Sequence, residues 1–223
     1  MIYIYGDSHA HYSFKNLTLP NNNLWKSSIT MHRIGRDNHI INFVNSANLH
    51  NNDIVILAYG EIDCRCHMRR QVDMGRNEDD IINELVTNYI KTIKNNITAA
   101  SVKVIIVGII PPTKKTDFET YNEPILHDFP FLGSDDDRVR YTSKINNLLE
   151  AEAKHNNYIY FNPYSYYTRD DGTLKHELSD LTVHLGDNSV FLKSFMALYE
   201  TIPMPPANTQ MYTMNLFGRR RFR

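Results

Sequence analysis

Short apolar runs alternate along the chain with longer segments in which apolar and polar residues are mixed. Residues 2–5, 53–59 and 102–110 are apolar or aromatic at nearly every position. Continuous runs of this length are typical of strands that are buried on both faces of a parallel sheet. We predict two further strands, at residues 28–32 and 158–161.

Amphipathic segments lie between these runs. Apolar residues recur at mostly helical spacing through residues 38–49, 81–93 and 138–153, which predicts a helix in each segment. Asn77 and the acids after it are typical of a helix N-terminus, because a capping side chain and negative charge stabilise the first turn. We predict a last helix at residues 188–200.

This alternation of strands and helices predicts an α/β fold with a parallel sheet covered by helices on both faces. Residues 1–200 form one domain, in which residues 113–137 are predicted as a long polar loop. Residues 201–223 contain three prolines and are predicted as an extended C-terminal arm. We expect the arm to pack on its own domain or on a second copy, which allows a homo-oligomer.

Composition and charge narrow the range of partners. The net charge is −1 and 42% of the residues are hydrophobic, so the chain is typical of a folded protein and gives no reason to expect a nucleic-acid or membrane partner. The basic run at 218–223 is interpreted as a solvated tail. With no signal peptide or membrane span in the sequence, we expect a cytoplasmic location.

The two cysteines, Cys64 and Cys66, are too close in sequence for a structural disulfide and favour a reducing compartment. No cofactor motif is present, so we expect no cofactor and no metal.

Blocks of polar residues or glycine follow each of the first three predicted strands. Asp7, Ser8 and His9 follow the first, Gly35 follows the second, and the segment 60–67 follows the third. In open parallel sheets the site lies outside the carboxyl ends of the strands. We therefore expect these groups to meet at one edge of the sheet.

Ser8 is a candidate nucleophile, and a serine hydroxyl needs a base that a carboxylate orients. The segment 178–188 offers Asp180 and His184 for these two roles. The negative charge that develops on an attacked carbonyl needs donors, which we predict to be the backbone N–H groups of Ser8 and Gly35. Ser8 is then the nucleophile, His184 the base and Asp180 the orienting acid.

Two other interpretations stay open. Asp7 and His9 have the Asp-x-His spacing of the first ligands of a metallophosphoesterase, in which Asp63 would be a bridging carboxylate. The further motifs of that class, a Gly-Asn-His block and a later His-x-His, are missing from the sequence. Alternatively, the same cleft belongs to a catalytically inactive glycan-binding module.

The order of these blocks resembles the SGNH/GDSL hydrolases. The resemblance covers residues 1–200 and rests on Gly-Asp-Ser after the first strand, Gly35, the block Gly60-Glu61-Ile62-Asp63, and Asp180 with His184. It implies a flavodoxin-like three-layer α/β/α sandwich and ester hydrolysis by a Ser-His-Asp triad. Because the family includes carbohydrate O-acetylesterases, we expect a small acyl ester on a carbohydrate as substrate. An O-acyltransferase would use the same residues.

The chain departs from the family pattern at two places. Ile62 stands where the family usually has an oxyanion-binding asparagine, and three residues instead of two separate Asp180 from His184. After Gly60, four polar residues alternate along the chain and would face one side if the segment were extended; they are Glu61, Asp63, Arg65 and His67.

Arg65 then replaces the missing amide, binds a substrate carboxylate, or belongs to an ion-pair cluster that shapes the loop. We expect Cys64 and Cys66 to face the other way and pack. For Tyr164, Tyr166 and Tyr167 we favour packing over stacking on a sugar.

Overall fold

A computed structural model describes residues 1–126 and 128–203. Five parallel strands form one sheet in the order β2-β1-β3-β4-β5. This is the strand order of flavodoxin-like folds, in which the chain starts in the middle of the sheet and builds outward in both directions. The strands are β1 (Ile2–Gly6), β2 (Asn21–Asn23), β3 (Ile54–Ala58), β4 (Lys103–Val107) and β5 (Ile159–Phe161).

Helices connect the strands and cover both faces of the sheet. They are α1 (Ser8–Phe14), α2 (Met31–Asp37), α3 (Met68–Asp73), α4 (Glu78–Asn96), α5 (Lys115–Tyr121), α6 (Asp135–His155), α7 (Tyr164–Tyr167) and α8 (Ser189–Thr201). A π-helical turn spans Asp63–His67, and short 3₁₀ turns span Ser46–Asn48 and His176–Leu178.

The core has two layers because successive side chains of a strand point to opposite faces. Val55 and Leu57 of β3 pack with α2, α4 and α6 on one face. Ile54 and Ile56 pack with α1 and α8 on the other face. All five residues of β3 are buried, as the continuous apolar run predicts. The predicted α/β/α sandwich with a parallel sheet is confirmed.

The predicted strand at residues 28–32 is wrong. The strand beside β1 is Asn21–Asn23, and residues 28–32 form a turn and the start of α2. Thr30 caps this helix by accepting a hydrogen bond from the Arg33 N–H group. A short edge strand needs only backbone pairing and no apolar face, so the hydrophobic pattern does not reveal three asparagines as a strand.

Two connecting segments also differ from their predictions. Residues 38–49 contain only one 3₁₀ turn instead of a helix, because α2 ends at Asn38 in the left-handed conformation with φ of 49°. Ile40 is buried as an anchor of this loop. Residues 113–137 are not one loop, since they include α5, a polar helix whose buried residue is Phe118.

The predicted C-terminal arm falls mainly on residues 204–223, which lie outside the described residues, as does His127. The expectations about the arm's packing, its basic end and a homo-oligomer therefore stay predictions. Within residues 1–126 and 128–203, no helix combines the length and the apolar character that crossing a membrane requires.

Candidate active site

The first polar block sits where β1 ends and α1 begins. Asp7 caps α1 by accepting a hydrogen bond of 2.8 Å from the His9 N–H group, and Ser8 is the first residue of the helix. Gly6 makes this close turn possible. A Cβ atom there would lie 2.2 Å from the Cβ atom of Ala10 and 2.5 Å from the carbonyl oxygen of Ala58. Any larger residue would push α1 away from β3 and displace Ser8.

Ser8, His184 and Asp180 form a continuous hydrogen-bonded chain. The Nε2 atom of His184 lies 2.9 Å from the Oγ atom of Ser8, and its Nδ1 atom lies 3.0 Å from Oδ2 of Asp180. Ser8 and His184 are 176 residues apart in sequence. The fold brings together the three residues that are predicted from the sequence as nucleophile, base and orienting acid.

The loop between Asp180 and His184 accommodates the extra residue that separates them. Oδ1 of Asp180 accepts hydrogen bonds from the backbone N–H groups of Thr182, at 2.9 Å, and His184, at 3.2 Å. The Asp180 N–H group donates to the carbonyl oxygen of His184 at 3.0 Å. The carboxylate therefore organises the loop with one oxygen and reaches the imidazole with the other.

His184 is enclosed by two aromatic rings. Tyr12 stacks on it with centroids 4.2 Å apart and planes inclined by 9°, and His9 lies at 4.7 Å. Burial lowers the pKa of His184, the neighbouring His9 lowers it further, and the hydrogen bond to Asp180 raises it without offsetting the decrease. The ring therefore stays neutral, and able to accept a proton, below its ordinary titration range.

The Asp180 carboxyl is held in its charged form. Burial alone would raise its pKa, but hydrogen bonds from His184 and Thr182 lower the pKa to about 2. Asp180 is therefore an anion at any pH at which an esterase is ordinarily assayed.

The third polar block, residues 60–67, forms a helical turn. The prediction that its polar side chains alternate along an extended segment and face one side is therefore wrong. Because Glu61 and Arg65 are four residues apart on this turn, their side chains meet, with hydrogen bonds of 2.8 and 3.1 Å. The remaining terminal nitrogen of Arg65 donates to the carbonyl oxygen of Phe129. These contacts direct the guanidinium into the fold and favour the ion-pair alternative for Arg65. Cys64 and Cys66 are both buried.

Asp63 is a structural carboxyl beneath the site. It is fully buried and accepts hydrogen bonds from the backbone N–H groups of Met31, at 2.6 Å, and His32, at 3.1 Å, at the start of α2. Burial raises its pKa to about 7 despite these bonds. The ring of His67 packs on that of His32 with centroids 4.2 Å apart, whereas Glu61 pairs with Arg65. The residues expected on one side thus point in different directions.

The prediction that Gly35 supplies an oxyanion donor is wrong. Gly35 lies in the fifth position of α2, where its N–H group takes part in the helix. A Cβ atom on it would lie 2.8 Å from the Cβ atom of Asn88 in α4. The glycine allows two helices to approach closely, and the sequence suggested another role only because residues 28–32 were predicted as a strand.

Aromatic residues that were not predicted as part of the site form a series of ring contacts that starts at His184. Tyr12 lies on His184, His11 lies edge-on to Tyr12 at 5.4 Å, and Trp25 lies on His11 at 4.7 Å. Backbone hydrogen bonds on either side of Trp25 hold it at the end of β1, from Leu24 to Ile4 and from Lys26 to Gly6. We call His184, Tyr12, His11 and Trp25 the aromatic row. A helix starting directly after Gly6-Asp7 would have placed Ser8, His11 and Tyr12 on one face.

The three tyrosines of the later segment have separate environments. Tyr167 is buried, and its hydroxyl oxygen accepts a hydrogen bond of 2.8 Å from the Phe191 N–H group. Tyr164 donates to the carbonyl oxygen of Gly172 at 2.7 Å, whereas Tyr166 is 48% exposed. Packing therefore describes Tyr164 and Tyr167.

Most of the carboxylate oxygens that a metal site would need already accept hydrogen bonds, although Oδ2 of Asp7 is buried without a hydrogen-bond partner. Oδ1 of Asp7 is bonded to the His9 backbone, and both oxygens of Asp63 accept backbone N–H groups. In the described part of the chain, no group of three or more histidine, cysteine and acidic side chains is arranged to hold a metal ion.

Comparison with known proteins adds information at the level of the fold. No protein-family model matches the chain, and no curated protein matches it.

Among solved structures, a protein from Streptococcus pneumonia that is provisionally assigned as a platelet activating factor is 15% identical over 88% of this chain and 82% of its own, with a TM-score of 0.60. A carbohydrate acetylesterase from Sinorhizobium meliloti is 13% identical over 89% of this chain and 96% of its own, with a TM-score of 0.53. A GDSL-like lipase from Bacteroides thetaiotaomicron is 15% identical over 90% and 88%, with a TM-score of 0.50.

At these identities the likeness establishes that the chain has the α/β fold of GDSL-type hydrolases. Each similarity extends over nearly the whole described chain.

Proposed function

We propose that the chain is a serine ester hydrolase of the SGNH/GDSL superfamily. The observation that carries the proposal is the distance of 2.9 Å between Nε2 of His184 and Oγ of Ser8, with Asp180 on the opposite nitrogen. A nucleophile, a base and an orienting acid within hydrogen-bond reach are the arrangement that activates a serine hydroxyl.

In this mechanism, Oγ of Ser8 attacks the acyl carbonyl while Nε2 of His184 takes the hydroxyl proton. The Asp180 carboxylate stabilises the imidazolium that forms. When the tetrahedral intermediate collapses, His184 gives the proton to the departing alcohol and the acyl group stays on Ser8. A water molecule then repeats the sequence with His184 as base, which releases the acid and restores Ser8.

The oxyanion needs donors other than an asparagine, since Ile62 is buried and apolar. Ser8 is the first residue of α1, where a backbone N–H group has no partner within the helix. We assign it as one donor, in agreement with the sequence-based prediction. Asp7, directly before it, fixes the helix start and hence the direction of this N–H group.

A small acyl group on a carbohydrate is the proposed substrate. The aromatic row supports this choice, because aromatic rings present apolar faces on which the C–H face of a sugar can pack. Trp25, its outermost member, is partly exposed and lies at the end of β1, the strand that leads into the nucleophile. The similarity of fold to a carbohydrate acetylesterase points to the same class.

The test is the variant Ser8→Ala with an activated acetate ester as substrate. Activity should be lost while the circular dichroism spectrum and melting temperature stay close to wild type, because Ser8 is not part of the core. Ser143→Ala, at an exposed position of α6, is the matched control and should keep its activity. Activity that survives Ser8→Ala and disappears on addition of a chelator would instead support a metal hydrolase. An unaltered Ser8→Ala enzyme insensitive to chelators would refute both.

The acyltransferase alternative uses the same residues with a sugar hydroxyl in place of water. Adding a sugar acceptor to the assay separates the two activities. A hydrolase releases free acid at an unchanged rate, whereas a transferase diverts the acyl group to the acceptor.

A further inference from the structure

His9 is the buried titratable group that the proposed mechanism does not use. Its Nδ1 atom lies 3.1 Å from Oδ1 of Asp7. Its Nε2 atom lies 3.1 Å from the carbonyl oxygen of Val183 and 3.3 Å from Oε2 of Glu61. The side chain is only 9% exposed, so protein groups surround it almost completely.

All the groups that face the two ring nitrogens are hydrogen-bond acceptors. A neutral imidazole has one donor and one acceptor nitrogen, whereas an imidazolium has two donors. The neutral ring would therefore place a lone pair against a carboxylate or a carbonyl in a buried site. Only the protonated ring satisfies both sides, and two nearby carboxylates compensate its charge.

The charged surroundings agree with this assignment. Burial alone would lower the pKa of His9, but Asp7 and Glu61 together raise it above its ordinary value, against a smaller opposing effect of Arg65. Asp7, Glu61, Arg65 and His184 are the titratable or charged groups that face the ring, and they come from the start of α1, the third polar block and the loop before α8.

We propose that His9 is held as an imidazolium cation and acts as a positioning residue for His184. This inference rests on the proposed function. The cation acts in two ways. Its Nε2–H group donates to the carbonyl of Val183, the residue directly before His184, and so fixes the loop that carries the base. Its charge, with ring centroids 4.7 Å apart, disfavours a second positive charge on His184.

The network that holds the cation reaches further into the fold. Arg65 is bonded to both oxygens of Glu61, and Glu61 in turn faces His9. Glu61 and Arg65 thus influence His184 through His9. This role of Arg65 requires no contact with the substrate.

The experiment measures the pKa of His184 and the protonation state of His9 by imidazole ¹⁵N NMR, in the Ser8→Ala background, where catalysis plays no part. His9→Gln retains a donor but removes the charge, and His9→Leu removes both. His155→Gln, at the exposed end of α6, is the control. We expect two protonated nitrogens on His9 at pH 7.5, and a pKa of His184 that rises by about one unit in His9→Gln.

Kinetics on the otherwise native enzyme supply the second readout. Both His9 variants should shift the acid limb of kcat/KM upward by about one pH unit, and His9→Leu should in addition lower the plateau by about tenfold or more. A residue that is merely structural would lower the plateau and leave the midpoint unchanged. That result, or a neutral His9 ring at pH 7.5, would overturn the proposal.

The two proposals can fail separately. If Ser8→Ala retains full esterase activity, the proposed function fails whatever the NMR shows. If Ser8→Ala is inactive but the pKa of His184 is the same with and without His9, only the role of His9 is refuted. Should His9→Leu not fold, the His9→Gln variant and the spectrum of the unsubstituted ring still decide the outcome.

Discussion

The ring of Tyr12 lies flat against the ring of His184, with centroids 4.2 Å apart and planes inclined by only 9°. Tyr12 is four residues after Ser8 in α1, so the helix that presents the nucleophile also presents a surface on which the base rests. The helix and this stacking contact therefore help to fix the position of His184 relative to Ser8.

Removing the ring of Tyr12 should leave the imidazole of His184 less firmly positioned. An aromatic pair of this kind contributes about 0.5–1.5 kcal/mol beyond its buried area, which corresponds to roughly two- to tenfold in a rate that depends on its geometry. We expect Tyr12→Ala to lower kcat by that factor for all esters, and Tyr12→Phe to retain the wild-type value because the ring remains. Steady-state kinetics with one small alkyl acetate would measure both. Equal losses in the two variants would show that the hydroxyl matters and the stacking does not.

The pH dependence of activity should follow His184. Its pKa is lowered chiefly by burial, so kcat/KM should fall on the acid side with a midpoint below 6.5, as the ring takes up a proton and can no longer act as base. Asp180, with a pKa of about 2, stays ionised and should not contribute to this limb.

In Asp180→Asn, the hydrogen bond that raises the pKa of His184 is lost, so the midpoint should move to still lower pH. The plateau should also fall by roughly 10³–10⁴-fold, since the base is no longer oriented by a carboxylate. Profiles of kcat/KM between pH 4 and 9 measure both effects. A midpoint above 6.5 in the wild type would contradict the burial argument.

Trp25 is the only tryptophan of the chain, which makes it both a candidate sugar contact and a fluorescent probe. We expect Trp25→Ala to raise KM by about fivefold for an acetylated sugar, since an aromatic contact contributes about 1 kcal/mol, and to leave KM for ethyl acetate unchanged. In Ser8→Ala, titration with the acetylated sugar should change the fluorescence of Trp25.

The control for this prediction is Tyr166→Ala, which removes an aromatic ring that is 48% exposed and lies outside the aromatic row. It should alter neither constant. If Trp25→Ala raises KM equally for both esters, the residue supports the site as a whole and does not recognise the sugar.

The parts of the molecule that could be predicted from sequence are those that local pattern determines. The run Ile54–Ala58 is apolar because both faces of β3 are covered, so composition alone identifies it as a buried central strand. Once strands and helices alternate, the rule that sites form at the carboxyl ends of strands brings Ser8 near the Asp180–His184 loop, as the structure shows.

The parts that could not be predicted depend on contacts between distant residues. Asn21–Asn23 is a strand only because the backbone of β1 is available beside it. The block after β3 coils into a π-helical turn in which Glu61 and Arg65 pair, although alternation suggested an extended segment. The first error assigned Gly35 to the site, and the second placed Glu61, Asp63, Arg65 and His67 on one side of the chain.

Gly35 gives a direct test of its corrected role. Alanine favours a helix more than glycine does, but its Cβ atom would lie 2.8 Å from the Cβ atom of Asn88 and would force α2 and α4 apart. We expect Gly35→Ala to be destabilised by about 1–3 kcal/mol in urea unfolding, as overpacked sites are. Below the unfolding transition, kcat should be unchanged, whereas the loss of an oxyanion donor would leave stability intact and lower kcat.

Measurements of stability and of kcat on Arg65 variants distinguish a structural role of this residue from a catalytic one. Its guanidinium is bonded to both oxygens of Glu61 and to the carbonyl of Phe129, and both charged side chains are nearly inaccessible to solvent. Arg65→Met would leave Glu61 buried without its principal partner. Breaking a buried pair in this way typically costs about 3–5 kcal/mol, so the melting temperature should fall substantially.

The double variant Arg65→Met with Glu61→Gln removes the stranded charge and should recover part of the lost stability, which neither single change achieves. Thermal melts and urea unfolding of the wild type, the two single variants and the double variant form a double-mutant cycle that measures the coupling between the two residues. An oxyanion donor would behave differently: Arg65→Met would then lower kcat with little change in KM or melting temperature, and Glu61→Gln would bring no recovery. A stable Arg65→Met protein with a much lower kcat would therefore return Arg65 to the catalytic machinery.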